Sequence, residues 1–233
     1  MPHLAIEELE ARRLLTTLVA LIDTGVELTP TDPHYIKDSP YYDLADGWDA
    51  YSQQPASAQN GYAALQDNGT DAHGQLNHHG STVADYIVDG IVDAKSQLGA
   101  GGVDVKIVPI RDTDSSGQLD GTAIIEGIRH AADLGVAVIN LSFEISDNII
   151  ALGEMSLSSA IAYAQSKHCV VVAAAGNDGF NIDQDPNQPR YVYPAIVHAS
   201  NMIVATSYDS AGGGIVSGMN WGNIHYDCGD FLR

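Results

Sequence analysis

Basic residues are scarce in this chain. Ten lysines and arginines stand against 30 aspartates and glutamates in 233 residues, a formal net charge of −20. Such a surface repels the phosphates of nucleic acids and of anionic membranes, so neither is an expected partner. Cysteine is scarcer still, with only Cys169 and Cys228. Two cysteines make no disulfide framework, and no Cys-x-x-Cys pair offers a zinc site. Both read as buried thiols, with a bridge between them as the less favoured reading. Long apolar runs are missing too: none approaches the ~20 residues that a membrane-crossing helix needs. The chain contains no internal repeat and no low-complexity segment.

What is present is ordinary globular material. Hydrophobic residues make up 45% of the chain, and the length suffices for one α/β domain with a substantial core. Arg12-Arg13 followed by Leu14 to Ile22 imitates a secretory signal. We read the second half of that run, Thr17 to Ile22, as a buried strand instead. Residues 1–16 then form a short helical lead-in and 17–233 the domain. From about residue 27 to 78 the pattern dissolves into Pro, Gly, Asp and Asn, which reads as a loop insertion with one short element near Tyr41 to Tyr51.

Beyond that insertion the order becomes regular. Apolar strands are expected at Val105–Ile110, Val136–Leu141, Val170–Ala175 and Met202–Ser207. Helices are expected after Gly80, from Asp120 as N-cap to Gly135, and from about Ser158 to Lys167. Alternation of this kind implies an α/β fold, a parallel sheet with helices on both faces. Asp23, Ser142 and Asn177 each follow the carboxyl end of a strand, the edge where such sheets bind ligands.

Within this frame Asn77-His78-His79-Gly80-Ser81-Thr82-Val83-Ala84 sets a histidine before an amphipathic helix. Val83, Ala84, Ile87, Val88, Ile91 and Val92 recur at helical spacing. Ser81 or Thr82 is placed to cap that helix. A histidine on such a mount suits a general base, although one histidine in a turn is ordinary surface chemistry. Asp23 likewise has an alternative as a turn cap with Thr24 and Gly25. Asn177 has one in the Gly-Asn-Asp-Gly turn.

Val19-Ala20-Leu21-Ile22-Asp23-Thr24-Gly25, the His79-Gly80 stretch, Val138-Ile139-Asn140-Leu141-Ser142 and Val170 to Gly179 occur in that order. Together they resemble the subtilases, the subtilisin-like serine proteases, from about Val19 to Gly229. The resemblance implies a subtilisin-like fold and peptide-bond hydrolysis of a protein or peptide substrate. It places the triad aspartate and histidine on Asp23 and His79, and the oxyanion amide on Asn177. It assigns substrate binding to Gly117, Ser142, Phe143, Ala174, Ala175 and Gly176. It implies no cofactor. Calcium would suit the acidic composition, but no residue locates it. The Asp112–Asp120 turn lacks the spacing of a calcium loop, and His73, His78, His79, Asp67 and Asp71 match no zinc pattern. Family and composition together favour an extracellular protein.

Three departures from the family matter. Asp85 stands where the family has a helix glycine. Glu144 follows Phe143 where the family has glycine; that strand edge lines the family's primary specificity pocket, so a carboxylate there would alter or block it. The nucleophile motif Gly-Thr-Ser-x-Ala occurs nowhere in the 233 residues. Ser81, Ser142 and Ser217 are unsuited to replace it, so the chain is expected to be incomplete at its C-terminal side and inactive by itself. The alternative function is a peptide-binding pseudoprotease. Asp23 and His79 are 56 positions apart, wider than in small bacterial subtilases, which places the insertion at the rim of the cleft.

Overall fold

In a computed structural model of the chain, the described residues are 16–30, 39–57, 60–71, 73–98, 104–145, 154–183, 192–197, 199–209, 211 and 213–222. Residues 1–15 of the expected lead-in and Cys228 lie outside them, and the lead-in's last residue, Thr16, is part of a strand instead.

Strand β1 (Thr16–Asp23) is the centre of the fold. Its second half is fully buried, as expected for an apolar run with neighbours on both edges and cover on both faces. Around it lie β2 (Trp48–Asp49), β3 (Gln54–Pro55), β4 (Asp104–Arg111), β5 (Val138–Leu141), β6 (Val170–Ala174) and β7 (Met202–Ala205). They form one seven-stranded sheet in the order β3-β2-β4-β1-β5-β6-β7. Only the β2–β3 pair is antiparallel. The register runs Asp23 opposite Arg111 and Ala20 opposite Ile139. The carboxyl ends of β1, β5 and β6 therefore stand in a row, about 5 Å from strand to strand. A separate pair, β8 (Tyr208–Asp209) and β9 (Gly214–Ile215), closes a turn further on.

Helices cover both faces, as the alternation of patterns predicts. Alternate residues of β1 choose the face. Leu21 joins Ile107, Ala84 and Ile91 beneath helix α1 (His79–Leu98). Ala20 and Ile22 join Ile110, Ile139 and Val171 beneath α2 (Gly121–Leu134) and α3 (Glu154–Ser166). The ends of α2 follow the sequence reading. The Asp120 carboxylate accepts the Ala123 N–H at 2.8 Å, and Gly135 closes the helix with φ 78°. A left-handed residue there costs glycine little, and the turn satisfies the last carbonyls.

The insertion has more structure than its composition suggests. β2 pairs with β4 where Trp48 meets Ile110, and the Asp49 carboxylate takes the Arg111 guanidinium at 2.6 Å. Trp48 stacks on His130 of α2 with ring centroids 4.3 Å apart. A 3₁₀ turn spans Ala63–Leu65, and Leu65 is fully buried. The stretch thus shields the β4 edge, which would otherwise present unpaired backbone groups. Asp85 of α1 is half-buried and lies near the buried Tyr42. Burial first, and the Asp85 charge second, push the Tyr42 hydroxyl's pKa up. Cys169 is a free buried thiol, with its pKa raised by that burial. Among the described residues no helix is long and apolar enough to cross a membrane, and no group of three His, Cys, Asp or Glu side chains is arranged to hold a metal ion.

Candidate active site

The end of β1 and the start of α1 bring Asp23 and His79 together. His79 Nδ1 and Asp23 Oδ1 are 2.7 Å apart. Asp23 is 1% exposed, and its Oδ1 also accepts the Thr24 N–H at 2.8 Å. The His79 side chain keeps 41% of its surface, so the imidazole is held on one side and open on the other. The hydrogen bond to Asp23, with the charges of Asp23 and Asp67, raises the imidazole pKa against the opposing effect of burial. His78 turns away from this pair, with its Nδ1 3.4 Å from the Glu27 carboxylate.

The helix start departs from the sequence reading in one respect. Neither Ser81 nor Thr82 accepts a helix N–H. Their hydroxyls donate instead, Ser81 Oγ to Asp67 and Thr82 Oγ1 to the His78 carbonyl. The free N–H groups of the first turn are taken by other residues. Asn77 accepts from His79, Thr24 Oγ1 from Gly80, and Asp67 from Ser81. A hydroxyl next to a carboxylate makes its strongest bond as a donor, which explains the reversal at Ser81. No room separates helix and strand. A Cβ on Gly80 would lie 2.2 Å from the Gly25 carbonyl oxygen.

Two strands away, Asn177 stands exposed beyond the end of β6. A cavity of about 240 Å³ opens beside it, lined among others by Asn140, Ser142, Ala174, Ala175 and Gly176. Of the nine residues singled out from sequence, Ser142, Ala174, Ala175, Gly176 and Asn177 therefore share one cavity wall. Phe143 lies elsewhere, buried in the core beneath α2 and α3. Gly117 is also apart. Its φ is 80°, its carbonyl accepts the Thr70 N–H at 3.1 Å, and a Cβ there would meet the Asn68 carbonyl oxygen at 1.9 Å.

The loop that carries Asn177 is stapled from behind by Asn220, which is fully buried. Its amide donates to the Ala175 carbonyl at 2.9 Å, and its Oδ1 accepts the Asp178 N–H at 2.8 Å. Its own N–H donates to the Gly176 carbonyl at 3.0 Å. Glu144 faces the same loop, with its Oε2 2.6 Å from where a Gly176 Cβ would stand. Partial burial, then a proton-sharing contact with Asp178, raise the Glu144 pKa. A carboxyl group thus packs against Gly176, one of the residues of the cavity wall.

Asp112 was not singled out as a working residue, yet it is fully buried, at the end of β4. Its N–H donates to the Asp23 carbonyl at 3.0 Å, while neither carboxyl oxygen has a hydrogen-bond partner among the described residues. Burial first, and the nearby Asp23 charge second, push its pKa well above the ordinary value. Sequence offers a partial signal here, since an aspartate directly after an apolar strand is placed inside the fold.

The family model described as the subtilase family matches residues 16–226. Thermitase from Thermoactinomyces vulgaris is 32% identical over 186 residues, which cover 78% of this chain and 54% of thermitase. The cell wall-associated protease of Bacillus subtilis is 30% identical over 214 residues, covering 89% of this chain and 20% of that protein. The chain therefore spans about half the length of the first relative and about a fifth of the second. Among solved structures, a lanthipeptide protease superposes with a TM-score of 0.61 at 22% identity, over 88% of this chain and 52% of that one. A cold-adapted subtilisin-like serine proteinase gives 0.55 at 22% identity, over 89% and 60%. These likenesses carry the fold.

Proposed function

The chain belongs to the subtilase family, and from that premise we propose that it carries the base and oxyanion half of a serine endopeptidase site. The observation that supports this most is the 2.7 Å contact between His79 Nδ1 and Asp23 Oδ1, with the imidazole open on its other side. In this reading Nδ1 carries the proton and donates it in a hydrogen bond to the Asp23 carboxylate, and Nε2 is the free base. A serine hydroxyl gives its proton to Nε2 as its oxygen bonds to the substrate carbonyl carbon. The imidazolium, stabilised by Asp23, then protonates the leaving amine as the C–N bond breaks. Asn177 donates its amide to the oxyanion that forms meanwhile. Such a donor contributes about 3–4 kcal/mol to lowering the barrier, a magnitude taken from a subtilisin. The substrate is a protein or peptide, as for the protease relatives. It would lie along the ends of β1, β5 and β6, over the wall of Ser142, Ala174, Ala175 and Gly176.

The Gly-Thr-Ser-x-Ala motif is absent from the 233 residues, which favours a second reading for these residues by themselves. The same cleft would bind peptides without cutting them. One experiment separates the two. A subtilase segment carrying Gly-Thr-Ser-x-Ala is fused after Gly229, folding is checked by circular dichroism, and casein cleavage is assayed. The protease reading predicts cleavage by the fusion, none by the 233-residue chain, and its loss in His79→Ala and Asp23→Asn. A folded fusion that stays inert supports the binding reading. Cleavage that survives His79→Ala contradicts the assignment of the base.

A further inference from the structure

Asp67 lies in the polar insertion, outside both the triad and the cavity wall. It is nonetheless 4% exposed and has no cation partner among the described residues. All four hydrogen bonds of its carboxylate go to the segments that carry Asp23 and His79 or to its own loop. Its Oδ1 accepts from Thr24 Oγ1 at 2.8 Å and from the Gly69 N–H at 3.1 Å. Its Oδ2 accepts from the Ser81 N–H at 3.0 Å and from Ser81 Oγ at 2.6 Å. Thr24 Oγ1 in turn accepts the Gly80 N–H at 2.8 Å.

The chain of bonds has a direction. Thr24 follows Asp23, and Gly80 and Ser81 follow His79. One carboxylate therefore grips the residue after the acid and, through Thr24 and directly, both residues after the base. A negative charge at the first turn of a helix is favourable, and charge-assisted bonds are shorter and stronger than neutral ones. A buried carboxylate with both oxygens satisfied is also stiff, since any slip leaves a buried charge without donors. The close packing on either side reinforces this. A Cβ on Gly69 would lie 2.6 Å from Thr24 Cβ, and one on Gly80 2.2 Å from the Gly25 carbonyl oxygen.

We propose that Asp67 is a positioning residue, clamping the start of α1 to the end of β1 so that the Nδ1 of His79 faces Asp23. Asp67 does not touch the imidazole hydrogen bond itself; it acts through Thr24 and Ser81. The proposal rests on reading Asp23 and His79 as a working pair, but not on the cleavage reaction. Failure of the casein assay with an intact imidazole tautomer leaves it standing.

The test uses the 233-residue chain and nitrogen-15 NMR of His79, which reports both the tautomer of the neutral ring and its titration. The variants are Asp67→Asn, Thr24→Val and Thr24→Ser, each checked for folding by circular dichroism. Asp67→Asn keeps an acceptor for Thr24 but turns an amide toward Ser81. Thr24→Val keeps the Asp67 charge and loses two bonds of the clamp. Both are expected to lower the ratio of Nδ1–H to Nε2–H tautomer by about tenfold, the effect of losing one charge-assisted hydrogen bond. Thr24→Ser retains the hydroxyl and is expected to keep the original ratio. A merely stabilising role would lower the melting temperature and leave the tautomer alone. Folded Asp67→Asn and Thr24→Val proteins with the original ratio overturn the proposal. So does an Asp67→Asn change in titration with no tautomer change in Thr24→Val, because Asp67 would then act by charge only. If Asp67→Asn does not fold, the contrast between Thr24→Val and Thr24→Ser decides alone.

Discussion

Asp23 and His79 meet at 2.7 Å although 56 positions separate them in the chain. The contact joins the last residue of the central strand to the first residue of a helix on one face of the sheet. Neither residue has freedom to drift. Asp23 is anchored in a fully buried strand end, and the helix start is tied by Asn77, Thr24 and Asp67. The pair is preorganised, which is what a base that must act in one orientation needs.

The raised pKa of His79 has a consequence for stability. Folding favours the protonated imidazole, so its contribution is fully present below the unfolded value of about 6.5 and is lost as pH rises through the higher folded pKa. The melting-temperature advantage of the parent chain over His79→Gln is expected to shrink across that window. Thermal unfolding followed by circular dichroism measures it. A difference that stays constant from below pH 6.5 to above the folded pKa contradicts the shift.

Asp112 has the opposite linkage sign to a paired carboxylate. Its pKa in the folded chain lies well above the unfolded value of about 3.9. As pH rises past that value the unfolded chain ionises first, so the folded state loses stability until the folded pKa is reached. Asp112→Asn removes that cost. The variant is expected to gain more relative to the parent at neutral pH than near pH 4. Urea unfolding at the two pH values is the measurement, and an equal difference at both contradicts a raised Asp112 pKa.

Asn220 is expected to be worth more than a surface asparagine. Asn220→Ala leaves the Ala175 carbonyl and the Asp178 N–H without their partner. The buried Ala175 carbonyl costs about 1–3 kcal/mol once orphaned, while the N–H of the exposed Asp178 can turn to water, so a loss of about 1–3 kcal/mol is expected. Chemical denaturation reads it directly. A change below about 0.5 kcal/mol, the range of an uninvolved surface position, contradicts the staple.

Much of this was legible in the sequence because the signals were local. The apolar runs of β1, β4, β5, β6 and β7 each announce a strand, and Asp120 and Gly135 bracket α2 by cap chemistry alone. β2 falls within the short element expected near Tyr41 to Tyr51, but two-residue strands such as β2 and β3 leave no period to detect, so the rest of the shielding segment reads as loop. Ser81 has the right type for a cap, but its bond direction depends on Asp67, 14 positions away. Phe143 was readable in another way. Leu141, Phe143 and Ile145 alternate, and a period of two sends all three into the core. Glu144 was legible as a departure, yet its closeness to Gly176 depends on two strands lying side by side.

The central claim is that His79 presents a free Nε2 because Asp23 holds the proton on Nδ1. The tautomer of the neutral imidazole, read by nitrogen-15 NMR above its titration, tests this most directly. The account predicts that the ring is predominantly Nδ1–H in the parent chain and that Asp23→Asn shifts it toward Nε2–H, the change that disables a base of this kind. A parent ring that is predominantly Nε2–H would contradict the account, because Nε2 would then have no lone pair to accept a proton.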